Sequence, residues 1–253
     1  MNAQPAGPAP VTDLGPGPAV MPYLDALEAA LARARAANVE SLAAAARVVA
    51  EAVARDGLVF LFGSGHSQLA ALELSRRAGG LAPLQVIYDP TWGTAEHLEG
   101  YGDTLVADVR LGAADCLVVV SHSGATGAPV EVARRGRARG LPVIAVTSLE
   151  VSRAARPRHS SGLKLYELAD VVLDNGVEGR DGAVRVGDLD RGLGPTSTVV
   201  AAALLHQVVV SAVARLVARG IEPPVLRANA ESGGREHNSE LFDRYRGRLQ
   251  RVP

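Results

Sequence analysis

The chain has 253 residues, a net charge of −1 and 47% apolar residues. That length allows one large α/β domain with extensions or two small domains, and the charge balance gives a nucleic-acid partner no electrostatic support. A single cysteine, Cys116, excludes an intrachain disulfide framework, and a single lysine, Lys164, in the surface-like connection Gly162-Leu163-Lys164-Leu165, makes pyridoxal-phosphate and Schiff-base chemistry unexpected.

Residues 1–20 are rich in Pro, Gly and Ala, have little to bury and read as a flexible tail. No basic-then-apolar leader precedes the body of the chain, and no apolar run suggests a membrane span, so a cytoplasmic location is expected. Residues 22–55 show helical periodicity: Leu24, Leu27 and Leu31 share one face, and Leu42, Ala45, Val49 and Val53 another. They read as a long helix or a helix pair, an N-terminal extension over 21–56.

Strand and helix signals then alternate through 57–220. A strand at 58–62 leads to a helix at about 67–78, stopped by Gly79-Gly80. A strand at 84–88 leads through Asp89-Pro90-Thr91-Trp92-Gly93 to a short helix near 94–99. A strand at 116–120 precedes a helix at about 128–139, with Pro129 in its first turn and Gly140 as its stop. Strands at 142–147 and 171–173 follow. Residues 176–194 form a Gly/Asp/Arg-rich loop with a hairpin around 183–186. Gly194-Pro195-Thr196-Ser197-Thr198 opens an apolar helix to about 219, buried in the core or in a subunit interface. The segment 221–253 is polar, with a last helix from about 239. Such alternation predicts an α/β fold with a doubly wound parallel sheet flanked by helices.

Two strand-to-helix loops carry the functional signal. They are Gly63-Ser64-Gly65-His66-Ser67 and Ser121-His122-Ser123-Gly124-Ala125-Thr126, each after an apolar strand. Glycine- and hydroxyl-rich turns present backbone N–H groups at the positive end of a helix, and two together suit a small phosphate ester. A dinucleotide fingerprint fails at Gln68, where a third glycine is needed, and a Walker A loop needs the Gly-Lys-Ser/Thr that neither loop has.

These loops, with Gly140-Leu141-Pro142-Val143-Ile144-Ala145-Val146-Thr147, resemble the sugar isomerase (SIS) domain family over roughly residues 40–220. The stretch Glu96-His97-Leu98-Glu99-Gly100-Tyr101 is similar to one in a bacterial subgroup of stand-alone SIS proteins. The resemblance implies a flavodoxin-like or Rossmann-like sheet and a homodimer with sites near its interface. It implies that Ser67, Ser121, Ser123 and Thr126, with neighbouring amides, hold the phosphate, and that Glu96 stands where relatives place a catalytic carboxylate; the two loops together offer Ser64, Gly65, His66, Ser67, Ser121, His122, Ser123 and Thr126 as the expected substrate-binding set. Two departures matter: His122 stands where many relatives have Gln, and there is no C-terminal lysine for ring opening.

The chemistry expected is abstraction of the C2 proton of an amino-sugar 6-phosphate, with Glu96 as base and Glu99 or His237 protonating a departing oxygen. N-acetylation at C2 favours elimination, making N-acetylglucosamine 6-phosphate the expected lyase substrate. Aldose–ketose isomerisation and non-catalytic phosphosugar binding are the alternatives. Glu96 and Glu99 share a face if their segment is helical. Trp92 fits either stacking on the sugar or packing at an interface. His206 reads as a core histidine, and His159 as solvated. No H-x-x-H or H-E-x-x-H spacing occurs, so neither metal nor cofactor is expected.

Overall fold

The computed structural model describes residues 21–179 and 182–249, so the expected tail over 1–20 lies outside the described residues. Two N-terminal helices, α1 (Pro22–Ala37) and α2 (Val39–Ala54), meet at Asn38. Then follow β1 (Val59–Gly63), α3 (Ser67–Leu74), β2 (Leu84–Ile87), α4 (Tyr101–Val106), β3 (Cys116–Val120), α5 (Gly127–Ala138) and β4 (Val143–Thr147). After α6 (Leu149–Ala154), α7 (Leu165–Leu168) and β5 (Val171–Asp174) come the long α8 (Ser197–Ala218) and α9 (Gly234–Arg244).

The five strands form one all-parallel sheet in the order β2-β1-β3-β4-β5. Both faces are covered because alternate residues point to opposite sides. Val59, Leu61, Val118, Val120, Ile144 and Val146 pack with α1, α2, α3 and α8, whereas Leu58, Phe60, Phe62, Leu117, Val119 and Val143 pack towards α5, α7 and the C-terminal segment.

The helix pair breaks at Asn38, whose buried amide closes a gap beside the sheet. Its Nδ2 donates to Ala34 O and Asp174 O, both at 2.6 Å, and its Oδ1 accepts from Asp174 N at 2.8 Å. Asp174 ends the edge strand β5, so one side chain replaces the neighbour that this residue lacks.

Several expectations need correction. The helix expected near 94–99 is a series of turns, and α4 starts only at Tyr101, after Gly100 at φ 88°. The last helix starts at Gly234 rather than 239. The hairpin near 183–186 reduces to an isolated bridge between Val184 and Leu193. The 22-residue α8 is long and apolar enough to cross a membrane, against the expectation that no run reaches that length. Its composition follows from packing on α2 and α3, where Val200, Leu204, Leu205, Val208 and Leu216 enter the core.

Lys164 is buried rather than on a surface connection: its Nζ donates to Ser152 O, Arg153 O and Ala155 O at 2.7–3.2 Å, closing the end of α6. His159 is also buried, 3.4 Å from Glu131, whereas His206 is partly exposed, 3.6 Å from Glu73. Asn38→Ala is expected to destabilise the fold by about 2–3 kcal/mol by stranding the Asp174 N–H and its carbonyl neighbours. Urea unfolding measures it, with an unchanged denaturant slope.

Candidate functional site

Strand order reverses direction between β1 and β3, and in open parallel sheets ligands bind beyond the carboxyl ends of strands at such a switch point. The loops after those two strands face a shared cavity of about 390 Å³. Every residue expected around the phosphate lines it: Ser64, Gly65, His66, Ser67, Ser121, His122, Ser123 and Thr126. Glu96, Trp92 and Gly93 add a third wall from the loop after β2. The sequence reading missed Ser197 and Thr198 as lining residues; the Thr-Ser-Thr start of α8 was the available signal.

Asp89 organises two of these walls. Its fully buried carboxylate accepts five hydrogen bonds: from Ser64 Oγ (2.5 Å) and Gly93 N (2.9 Å) on Oδ2, and from Thr91 N (2.9 Å), Thr91 Oγ1 (2.7 Å) and Tyr101 OH (2.6 Å) on Oδ1. Burial pushes such a carboxyl up, but the hydrogen bonds from Ser64, Tyr101 and Thr91 outweigh it and hold Asp89 below the usual carboxylate range. Gln68 fixes the Asp89 main chain, accepting from its N–H at 2.5 Å and donating to its carbonyl at 3.2 Å. The two loops touch: a Cβ on Gly93 would lie 3.0 Å from Gly65 N and Cα, so this crossing requires glycine. Trp92 beside it has φ 52°, a left-handed conformation that is unfavourable for an aromatic residue, and its side chain is exposed at the cavity wall.

The hydroxyl loop is shaped by its own side chains. Gly124 N donates to Ser121 Oγ at 3.2 Å, and Ala125 N to Ser123 Oγ at 3.4 Å. Thr126 precedes α5 but makes no side-chain cap, and its buried Oγ1 has no hydrogen-bond partner among the described residues. The buried Nε2 of His122 also lacks one, while its Nδ1 lies 3.3 Å from Asn175 Nδ2. Asn175 Oδ1 accepts from Val177 N at 3.0 Å, so its amide nitrogen faces the imidazole and the remaining hydrogen of a neutral His122 sits on Nε2. Unsatisfied buried polar atoms beside a cavity are what a polar ligand would complete.

Glu96 joins this loop to the base of the cavity wall. Its carbonyl accepts from Ala128 N at 3.0 Å in the first turn of α5, and its carboxyl lies 3.8 Å from His97 Nε2. Burial pushes its pKa up; His97, Ser64 and Arg158 oppose that, and the Asp89 charge adds to it. A carboxyl so poised, in a cavity beside an ionised one, suits general acid–base work. Glu99 is not brought into the cavity: its exposed carboxylate accepts from Ser160 N at 2.6 Å, and the Ser160 side chain and backbone donors hold its pKa down. His237 also lies outside the lining, with Nε2 2.9 Å from Val225 O on the C-terminal segment. A second cavity of about 330 Å³, between the start of α1 and Val184, Val186 and Leu193, is apolar and carries no such chemistry. Cys116 is buried in β3, where burial pushes its thiol up to about 12.

Fold and site together define a doubly wound α/β protein with a hydroxyl-lined cavity at its switch point. The SIS domain family model matches residues 22–148, and the chain belongs to that family. A UPF0309 protein of Streptomyces griseus is 39% identical over 238 residues, covering 90% of this chain and 95% of its own. A UPF0309 protein of Listeria monocytogenes is 39% identical over 210 residues, covering 83% and 90%. Among solved structures, phosphoheptose isomerase GmhA from Neisseria gonorrhoeae aligns with a TM-score of 0.53 at 18% identity, covering 76% of this chain and 95% of that one, a likeness of fold.

The raised pKa of Glu96 means that the fold favours its protonated form. Its contribution to stability is present at low pH and is lost as pH rises through the raised folded value. Glu96→Gln is therefore expected to melt higher than the wild type at pH 8, and the gap should close near pH 4. Calorimetry at both pH values measures it.

Proposed function

We propose that this chain is a phosphosugar enzyme that removes the C2 proton of an amino-sugar 6-phosphate. The observation that carries the proposal is one cavity in which Glu96, its carboxyl held above the usual range, faces a loop of hydroxyls and the start of α5. Ser121, Ser123 and Thr126, with His122, hold the phosphate through hydroxyl, imidazole and backbone N–H donors, and the α5 dipole supplies the favourable field. Glu96 takes the proton at C2 of the open-chain sugar, and the C1 carbonyl absorbs the electron pair. Trp92 forms a wall for the sugar.

The preferred outcome is elimination from N-acetylglucosamine 6-phosphate. The C2–H bond breaks to Glu96, a C2–C3 double bond forms, and the C3 hydroxyl leaves as water after taking a proton. We assign that proton to His66, which lines the same cavity, because Glu99 and His237 stand outside it. Isomerisation shares the C2 carbanion and differs only in where the proton returns, so one experiment separates the two. We also infer a homodimer that brings the site close to its interface. Val199, beside the cavity-lining Thr198, is 44% exposed, and Val210 and Val217 on the same helix are 63% and 60% exposed. Light scattering should give twice the chain mass, and a strict monomer would contradict this.

Proton NMR in deuterated water tests the reaction. N-acetylglucosamine 6-phosphate is expected to give a new vinyl signal. Glu96→Gln should reduce turnover by about 10³-fold while leaving sugar-phosphate affinity within about threefold. Deuterium entering C2 of glucosamine 6-phosphate or C1 of fructose 6-phosphate, without the vinyl signal, would establish the isomerase instead. Tight binding with no turnover in any tube would establish a non-catalytic binding protein.

A further inference from the structure

Asn175 is buried just beyond the carboxyl end of β5, and its side chain closes a short turn in which Oδ1 accepts from Val177 N at 3.0 Å. A backbone N–H only donates, so the amide oxygen faces it and the Nδ2 hydrogens face away. Nδ2 lies 3.3 Å from His122 Nδ1, which therefore accepts, and the hydrogen of the neutral ring is held on Nε2. The segment that carries Asn175 is tied down on several sides. Asn175 N donates to Thr147 O at 2.9 Å, Ser148 Oγ to Val177 O at 2.8 Å and Arg33 Nε to Gly176 O at 3.0 Å. The same turn after β4 grips His122, whose carbonyl accepts from Ser148 N at 3.0 Å and Thr147 Oγ1 at 3.1 Å.

The ring so fixed presents a donor that meets nothing. His122 Nε2 is buried and has no hydrogen-bond partner among the described residues, and neither has Oγ1 of the buried Thr126, while both residues line the cavity. A buried donor left unmatched is costly, and an oxyanion would relieve it. The opposite tautomer would turn a lone pair towards that anion and repel it. We infer that Asn175 is a positioning residue for ligand binding: it fixes the tautomer and orientation of His122 so that Nε2–H donates to a phosphate oxygen beside the Thr126 hydroxyl. The inference rests on the phosphate end of the function proposed above and is independent of Glu96.

Nitrogen-15 NMR of the His122 ring in the full chain, beside inorganic phosphate titrations, tests it. At about pH 8, where a model imidazole is neutral, Nε2 should carry the hydrogen and Nδ1 none, and inorganic phosphate should move the Nε2 signal. Asn175→Asp keeps an oxygen for Val177 N but turns an acceptor towards Nδ1, so Nδ1 should gain a hydrogen. Asn175→Ser, whose hydroxyl still accepts from Val177 N, should weaken inorganic phosphate about fivefold, and His122→Ala about tenfold. The double variant should match His122→Ala within about twofold, because Asn175 acts through His122. A wild-type ring with its hydrogen on Nδ1 overturns the inference, as does an Nε2 signal that phosphate leaves unmoved. Losses that add in the double variant also overturn it, since they would give Asn175 a structural role alone. If the Asn175 variants do not fold, the wild-type spectra decide. The expected spectra without turnover on any sugar would support the positioning role and reject the enzyme reading. Turnover that Glu96→Gln abolishes, with the wild-type hydrogen on Nδ1, would do the reverse.

Discussion

The carboxylate of Asp89 is the constraint from which the site is built. Five donors from the loops after β1 and β2 and from α4 converge on it while it is shut away from water. An ionised carboxylate in that position would be costly without them, and with them it stays ionised. The loop over 89–96 has little regular structure of its own. Its shape follows from wrapping around this charge, which in turn sets where Trp92, Gly93 and Glu96 stand. The crossing of Gly93 over Gly65 then locks the second loop to the first.

The fold supplies the other half of the cavity at little extra cost. A parallel sheet places every strand-to-helix turn at one edge, and the order β2-β1-β3-β4-β5 opens a crevice between the turns after β1 and β3. The starts of α3, α5 and α8 meet there. Among the described residues neither lysine nor arginine lines the cavity, so an anion there would be held by hydroxyls, backbone N–H groups and helix ends. Among the described residues, the positive groups that act on Glu96 are His97, 3.8 Å away, and Arg158.

Much of this was legible in the sequence because the signals were local. Five apolar runs became the five strands, and the two hydroxyl-rich loops face one cavity. What the sequence hid depends on contacts between distant residues. Asp89 looks like an ordinary turn aspartate until Ser64, 25 residues earlier, and Tyr101, 12 residues later, fold onto it. Lys164 looked exposed because nothing nearby announces the carbonyls at the end of α6 that its ammonium satisfies. Glu96 and Glu99 suggested one helical face, but the turns that wrap around Asp89 replace that helix, and Glu99 swings out to Ser160. Its place inside an apolar helix suggested a core position for His206, yet α8 turns that residue towards Glu73 at its edge.

The most direct test is a crystal structure of Glu96→Gln soaked with N-acetylglucosamine 6-phosphate. The expected result is a phosphate against the N–H groups and hydroxyls of 121–126, with C2 of the sugar within hydrogen-bonding distance of the residue 96 side chain. A phosphate seated elsewhere, or a sugar whose C2 points away from residue 96 towards Ser197 and Thr198, would contradict it.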